Sequence, residues 1–250
     1  MSETTTLFLY ALLGSVAGLI GGVILIIYKK SADFLTKISL PLAAGVLLSL
    51  SLLDLFPEAV EEMGFGAFSI VLGVFVALYL VERFIAPIHH HEDGHIQKST
   101  VSLVIFGDTI HNFLDGVAIA ASFLLSPSLG LFVALGTFLH ETPHEIADFA
   151  ILIRSGFSRS KAFWTNFFSA LATIPGAFLT FYYAERLEGG IGILLAVSAG
   201  LFLYVSSTDF LPELTHEHQK RGTHWEQTAF LLIGVFAVVL IRTLIPEIGH

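Results

Sequence analysis

Residues 129–153 read LGLFVALGTFLHETPHEIADFAILI. The run holds no Lys or Arg, yet His140, Glu141, His144, Glu145 and Asp148 stand at and beyond its centre. As an α-helix rising about 1.5 Å per residue, it crosses ~30 Å of hydrocarbon. It does not alternate as a barrel strand does. The stretch therefore predicts a transmembrane helix with a polar middle.

Seven further apolar runs lie around it, at residues 7–28, 38–56, 65–84, 100–125, 162–183, 191–211 and 228–245. Each is long enough to span a bilayer, and eight is the most economical count. The composition agrees. Apolar types make up 54% of the 250 residues and charged types only 13%, about half the soluble norm. Mean hydropathy is +0.80. Eight spans leave only short connections, so residues 1–250 read as one transmembrane domain with a loop at 85–99. A net charge of −9 argues against nucleic acid, and the absence of Cys excludes thiolate metal sites and cysteine nucleophiles. The first run is not a cleaved signal peptide. No Lys or Arg precedes it, its apolar core is too long, and Lys29 and Lys30 follow it like a stop-transfer anchor.

Orientation follows from the basic residues. Lys29, Lys30, Lys37, Arg83, Lys98, Arg154, Arg159, Lys161, Lys220 and Arg221 fall on one side of an eight-span chain, against Arg186 and Arg242 on the other. Both termini are thereby expected outside. An internal repeat supports the even count. AGVLLSLSLLDLFPE (44–58) and AGLFLYVSSTDFLPE (199–213) share Ala, Gly, Leu, Ser, Asp, Pro and Glu at a constant offset. Spans 1–3 and 6–8 then read as inverted copies around spans 4 and 5, an architecture of secondary transporters with the site near the midplane.

Charge in mid-membrane costs at least ~2.5–3.5 kcal/mol per residue, so a cluster needs a reason. Span 4 carries Asp108, His111, Asn112 and Asp115, and span 5 carries the five residues quoted first. His111 and Asp115 are spaced i, i+4 on one helical face, as are His140 and His144. One buried His–Asp pair would be explained as a hydrogen bond locking two helices. Nine polar positions on adjacent spans read instead as an ion site of nitrogen and oxygen ligands, suited to Zn²⁺ and also to Fe²⁺ or Mn²⁺.

HNFLDG (111–116) and HETPHE (140–145), with flanks PHEIADFAILIRSG and AGLFLYVSSTDFLPEL, resemble the paired signatures of the ZIP family of divalent-metal transporters, in their LIV-type form. The resemblance implies an all-α fold of 3+2+3 helices and zinc uptake into the cytoplasm across the plasma or inner membrane. It also implies a homodimer. Carried over by motif, the principal site is His111, Asp115, His140 and His144, and a second site uses Asn112, Asp115 and Glu141. Some members bridge two metals with a carboxylate where this chain has His144. A neutral imidazole bridges poorly, so Glu145 is the residue placed to help.

The expected route runs from the outer carboxylates Asp54 and Glu58, through the centre, and out past Asp108, Asp148, Asp209 and Glu213. His89, His90, His91 and His95 form an accessory cytosolic metal segment in the 85–99 loop. Cd²⁺ joins the candidate cargoes, and no organic cofactor is expected. Two other readings compete. HETPH matches the H-E-x-x-H of zinc metalloproteases, with Leu114–Gly116 supplying an LDG, but the two motifs occur here in the opposite order. A membrane metal sensor without flux is the third.

Overall fold

The computed structural model describes residues 1–16, 19, 23, 29–84, 98–186, 190–215 and 224–244. Every regular element among them is helical. In chain order these are α1 (Glu3–Gly14), α2 (Lys29–Ser49), α3 (Phe56–Met63), α4 (Gly66–Phe84), α5 (Lys98–Leu125) and α6 (Pro127–Arg154). Then follow α7 (Arg159–Ala170), α8 (Thr173–Tyr183), α9 (Gly190–Tyr204) and α10 (His224–Leu244). Among the described residues, five helices are long and apolar enough to cross a membrane: 37–63, 66–84, 159–183, 190–215 and 224–244. α5 and α6 are longer still, at 28 residues each, and carry the charged clusters.

Local chemistry sets the ends. Ser126 caps α6 by accepting from the Leu129 N–H, with Pro127 at the first helical position, where its missing donor costs nothing. Ser158 caps α7 in the same way, after a turn at Gly156 with φ +90° that a side chain would strain.

Two departures from uninterrupted spans bear on function. First, the run at 162–183 is broken between Ala170 and Thr173, just ahead of Pro175, which cannot donate to the ladder. The Ala170 carbonyl is satisfied instead by the hydroxyls of Ser15 (2.6 Å) and Thr173 (3.0 Å). Ser15, at the end of α1, lies at the repeat offset from Ala170, so the end of α1 meets the break between α7 and α8. Second, Leu50–Leu55 and Val205–Phe210 are π-helical and join α2 to α3 and α9 to 211–215. Phe56 N–H reaches back to the Ser51 carbonyl, and Leu211 N–H to that of Ser206. Pro57 and Pro212 follow immediately, and the donor each lacks accounts for the shifted register.

Packing places the polar helices inside. α5 and α6 lie against each other, α8 closes on α5, and α1 and α2 close on α6. α5 and α8 approach backbone to backbone at Gly116 and Gly176, where a Cβ would collide with the Thr173 and Phe113 carbonyls. α4 and α10 form the outside, with Leu72, Leu80, Phe236 and Leu240 exposed as on a surface facing lipid.

Candidate metal centre

His111 and Asp115 come from one face of α5, and His140 and Glu141 from α6. Asp115, His140 and Glu141 are wholly buried. His140 Nδ1 lies 3.2 Å from the Gly136 carbonyl, which can only accept, so Nδ1 carries the hydrogen and Nε2 presents a lone pair. That Nε2 lies 3.0 Å from His111 Nε2, 3.1 Å from Asp115 Oδ2 and 3.4 Å from Glu141 Oε1. His111 Nε2 is 3.3 Å from Glu141 Oε1 and 3.8 Å from Asp115 Oδ2. None of the four carboxylate oxygens of Asp115 and Glu141 has a partner in hydrogen-bond geometry.

Electron-rich atoms at these separations repel one another unless a proton or a metal cation lies between them. Ligands about 2.0–2.1 Å from a tetrahedral ion stand roughly 3.3 Å apart. The five measured edges, 3.0–3.8 Å, bracket that value. The donor set, two imidazoles and two carboxylates, fits Zn²⁺ and comparable divalent ions.

The other residues singled out from the sequence fall around this set. The His144 ring stacks on His111 (centroids 5.4 Å apart) and meets Phe210. Asn112 has both ends of its amide engaged. Nδ2 donates to Asp108 Oδ1 (2.9 Å) and to its carbonyl, while Oδ1 accepts from Thr173. Glu145 is buried, with Asp108, Glu141 and Asp148 as its charged neighbours. Asp54 is buried beside Arg242 of α10, Oδ1 to Nε 3.5 Å. Asp209 is half-buried and accepts from Thr208 (3.0 Å), Glu58 is half-buried, and Glu213 is exposed. His89, His90, His91 and His95 lie outside the described residues.

The sequence reading passed over the wall built by α7 and α8. Thr109 and Ser169 share a hydrogen bond (2.8 Å), Asn166 reaches the Glu145 carbonyl, and Thr173 holds Asn112. Asn166, Ser169 and Thr173 are spaced i, i+3, i+7 along the run. That polar stripe on an apolar span was the available signal.

Comparison with known proteins points the same way. A family model described as ZIP Zinc transporter matches residues 86–242. Zinc transporter ZIP4 of Mus musculus is 41% identical over 58% of this chain and 22% of its own length. Zinc transporter foi of Drosophila melanogaster is 34% identical over 60% of this chain and 21% of its own. This chain thus spans about a fifth of those two relatives. Zinc transporter zipt-7.1 of Caenorhabditis briggsae is 32% identical over 80% of this chain and 68% of its own length. A multi-pass integral membrane protein with a buried His/Asp/Glu group, matched over most of its length by that family, leads to one conclusion: the chain belongs to the ZIP zinc transporter family.

Proposed function

We propose that this protein carries Zn²⁺ through the membrane into the cytoplasm, with the ion stripped of water between α5 and α6. The observation that carries the reading is the convergence of His111 Nε2, His140 Nε2, Asp115 Oδ2 and Glu141 Oε1 in a buried site. His144 stands beside it as an exchange ligand, and Asn112, tied to Asp108 and Thr173, holds α5 and α8 in register. Hydrated metal collects at Asp54 and Glu58, passes the centre, and leaves along Asp108, Asp148, Asp209 and Glu213. His89, His90, His91 and His95 gather metal on the cytosolic side. Fe²⁺, Mn²⁺ and Cd²⁺ are competing cargoes, and the chemistry needs no organic cofactor.

The reading includes eight spans in a 3+2+3 arrangement, both termini outside, in the plasma or inner membrane as a homodimer. Reciprocal packing favours inverted copies: α2 packs on α10 where α9 packs on α4, and each π-helical turn packs on the other copy's helix. Against proteolysis stands the position of Glu141. Its Oε1 joins the ligand set, whereas a general base would stand off the metal with water between them.

Flux into proteoliposomes tests the proposal. Zinc should enter wild-type vesicles well above empty ones, and His111→Ala, His140→Ala and Glu141→Ala should each lose most of that flux. Full flux in all three variants sinks the assignment. Protons compete with metal for imidazole and carboxylate, so flux should fall as the pH drops below about 6.5. A sensor would show binding without flux.

A further inference from the structure

Arg242 stands in the last turn of α10, an otherwise apolar helix. With Arg186 it is one of the two basic residues that the charge distribution puts on the outer side. Arg186 has a local explanation, since its guanidinium lies 4.9 Å above the Tyr183 ring. Arg242 instead lies beside Asp54, Nε to Oδ1 3.5 Å. The contact is loose. Asp54 Oδ1 is sealed from solvent and has no partner in hydrogen-bond geometry, so at this oxygen the guanidinium offers charge at a distance and no donated N–H. The two partners also differ in freedom. The Asp54 side chain is 1% exposed and held in the π-helical turn, whereas that of Arg242 is 35% exposed and can swing towards water. The other charge bearing on Asp54 is Glu58, four residues on and of like sign.

The second copy is built differently at the matching place. GVF at 234–236 of α10 recurs as GVF at 73–75 of α4, which aligns the outer end of α10 with the Glu82 region of α4. There Glu82 accepts from Tyr204, at the start of the other π-helical turn. α10 thus brings a cation to its turn where α4 brings a carboxylate. We propose that Arg242 is a tethered counter-ion for Asp54 that the incoming metal displaces, so that it sets how much external zinc is needed to load the route. The proposal rests on the transport reading, in which Asp54 and Glu58 collect hydrated metal. A buried carboxylate is costly without a cation, and Arg242 supplies one between ions. Zn²⁺ carries twice the charge and gains about twice the Coulomb energy from the same oxygen at the same distance. Glu58 adds to that pull. Once metal sits at Asp54, like charge drives the guanidinium outward, to where it is already partly solvated. Asp54 exchanges one cation for another and is at no stage buried alone.

The test uses the full chain, with zinc flux followed in proteoliposomes. Labelling of Arg242 by phenylglyoxal, a reagent for guanidinium groups, is located by mass spectrometry on purified protein. Arg242→Gln should lower the apparent KM for zinc about fivefold, because the competitor is gone. A merely structural arginine would raise KM or cut flux when lost. Arg242→Gln combined with Asp54→Asn should show the KM of Asp54→Asn alone. In the parent, saturating zinc should speed labelling of Arg242 about threefold as the side chain is released. In Asp54→Asn, labelling should be fast with or without zinc. A KM in Arg242→Gln that is unchanged or higher overturns the proposal, as does one that still falls when residue 54 is Asn. Labelling that zinc leaves unchanged in the parent overturns it too. Should Arg242→Gln not fold, the labelling decides, since it needs no variant. If the parent carries no zinc above empty vesicles, the transport reading fails, while zinc-dependent labelling still judges the displacement.

Discussion

Leu50–Leu55 and Val205–Phe210 are the same backbone device built twice, each a π-helical turn closed on a Ser carbonyl ahead of a Pro. Their surroundings differ. Ser51 donates across to the Ala199 carbonyl of the other copy (2.7 Å), whereas Ser206 bonds back to Leu203 of its own helix (3.1 Å). Asp54 is 2% exposed and faces Arg242, whereas Asp209 is half-buried and held by Thr208. A Cβ at Gly45 would lie 2.2 Å from the Leu231 carbonyl oxygen of α10, while one at the matching Gly200 would lie 2.9 Å from Val74 Cβ and 3.1 Å from the Val71 carbonyl oxygen. A shared local pattern reproduces the turn, and the packed neighbours decide the charge environment. Two segments that repeat in sequence can therefore differ in charge environment.

Packing at the two glycines should separate the copies most. A Cβ at Gly45 would overlap the Leu231 carbonyl, which cannot yield without moving α10. Gly45→Ala should cost about 3 kcal/mol, and Gly200→Ala about 1, since its approach to Val74 Cβ and the Val71 carbonyl is less close. Thermal unfolding in detergent measures both, and equal losses would erase the distinction.

Arg242→Gln comes next. It leaves Asp54 buried without its cation, a loss of about 3–5 kcal/mol for a fully buried pair. Here about 2 kcal/mol is expected, because the Arg242 side chain is 35% exposed and solvent screens the pair. Asp54→Asn in the same chain should restore most of the stability, and no recovery would show that the two residues act independently.

Transport should register the same asymmetry. Asp54→Asn should raise the apparent KM for zinc about tenfold, or 1.4 kcal/mol. Asp209→Asn should leave KM near its original value and slow release a few-fold. Single-turnover flux resolves the two steps, and identical effects would break the comparison. The smallest effect belongs to the serines. Ser51→Ala should cost about 1 kcal/mol for a buried bond between helices. Ser206→Ala should stay within about 0.5 kcal/mol, since its bond is local.

Much of this was legible in advance, for identifiable reasons. Membrane crossing follows from hydrocarbon content alone, because a bilayer is a solvent of fixed thickness. The nine polar positions of α5 and α6 stood out because charge in lipid is expensive, and helical periodicity paired His111 with Asp115 and His140 with His144, leaving Glu141 to a second site. The repeat was visible because Ser, Asp, Pro and Glu are unusual in apolar runs. Less was readable where partners come from distant segments. No spacing rule connects Thr173 to Asn112, or Arg242 to Asp54, since such pairs depend on helix rotation and approach distance.

By itself, then, the sequence pointed to a multi-pass membrane protein, put the polar cluster on α5 and α6, and showed seven residues shared in register between 44–58 and 199–213. Periodicity and transfer cost are properties of the chain and its solvent, so they can be read without coordinates. Only the tertiary structure decided which four atoms converge. Glu141 Oε1 takes a place in the set while the His144 ring stacks beside it. It also decided that Asn112 is held by its neighbours, that Glu145 is buried among carboxylates, and that Asp54 lies beside Arg242 while Asp209 accepts from Thr208. A lone pair acts over a few ångströms, and separations that small are set by how whole helices lean on each other.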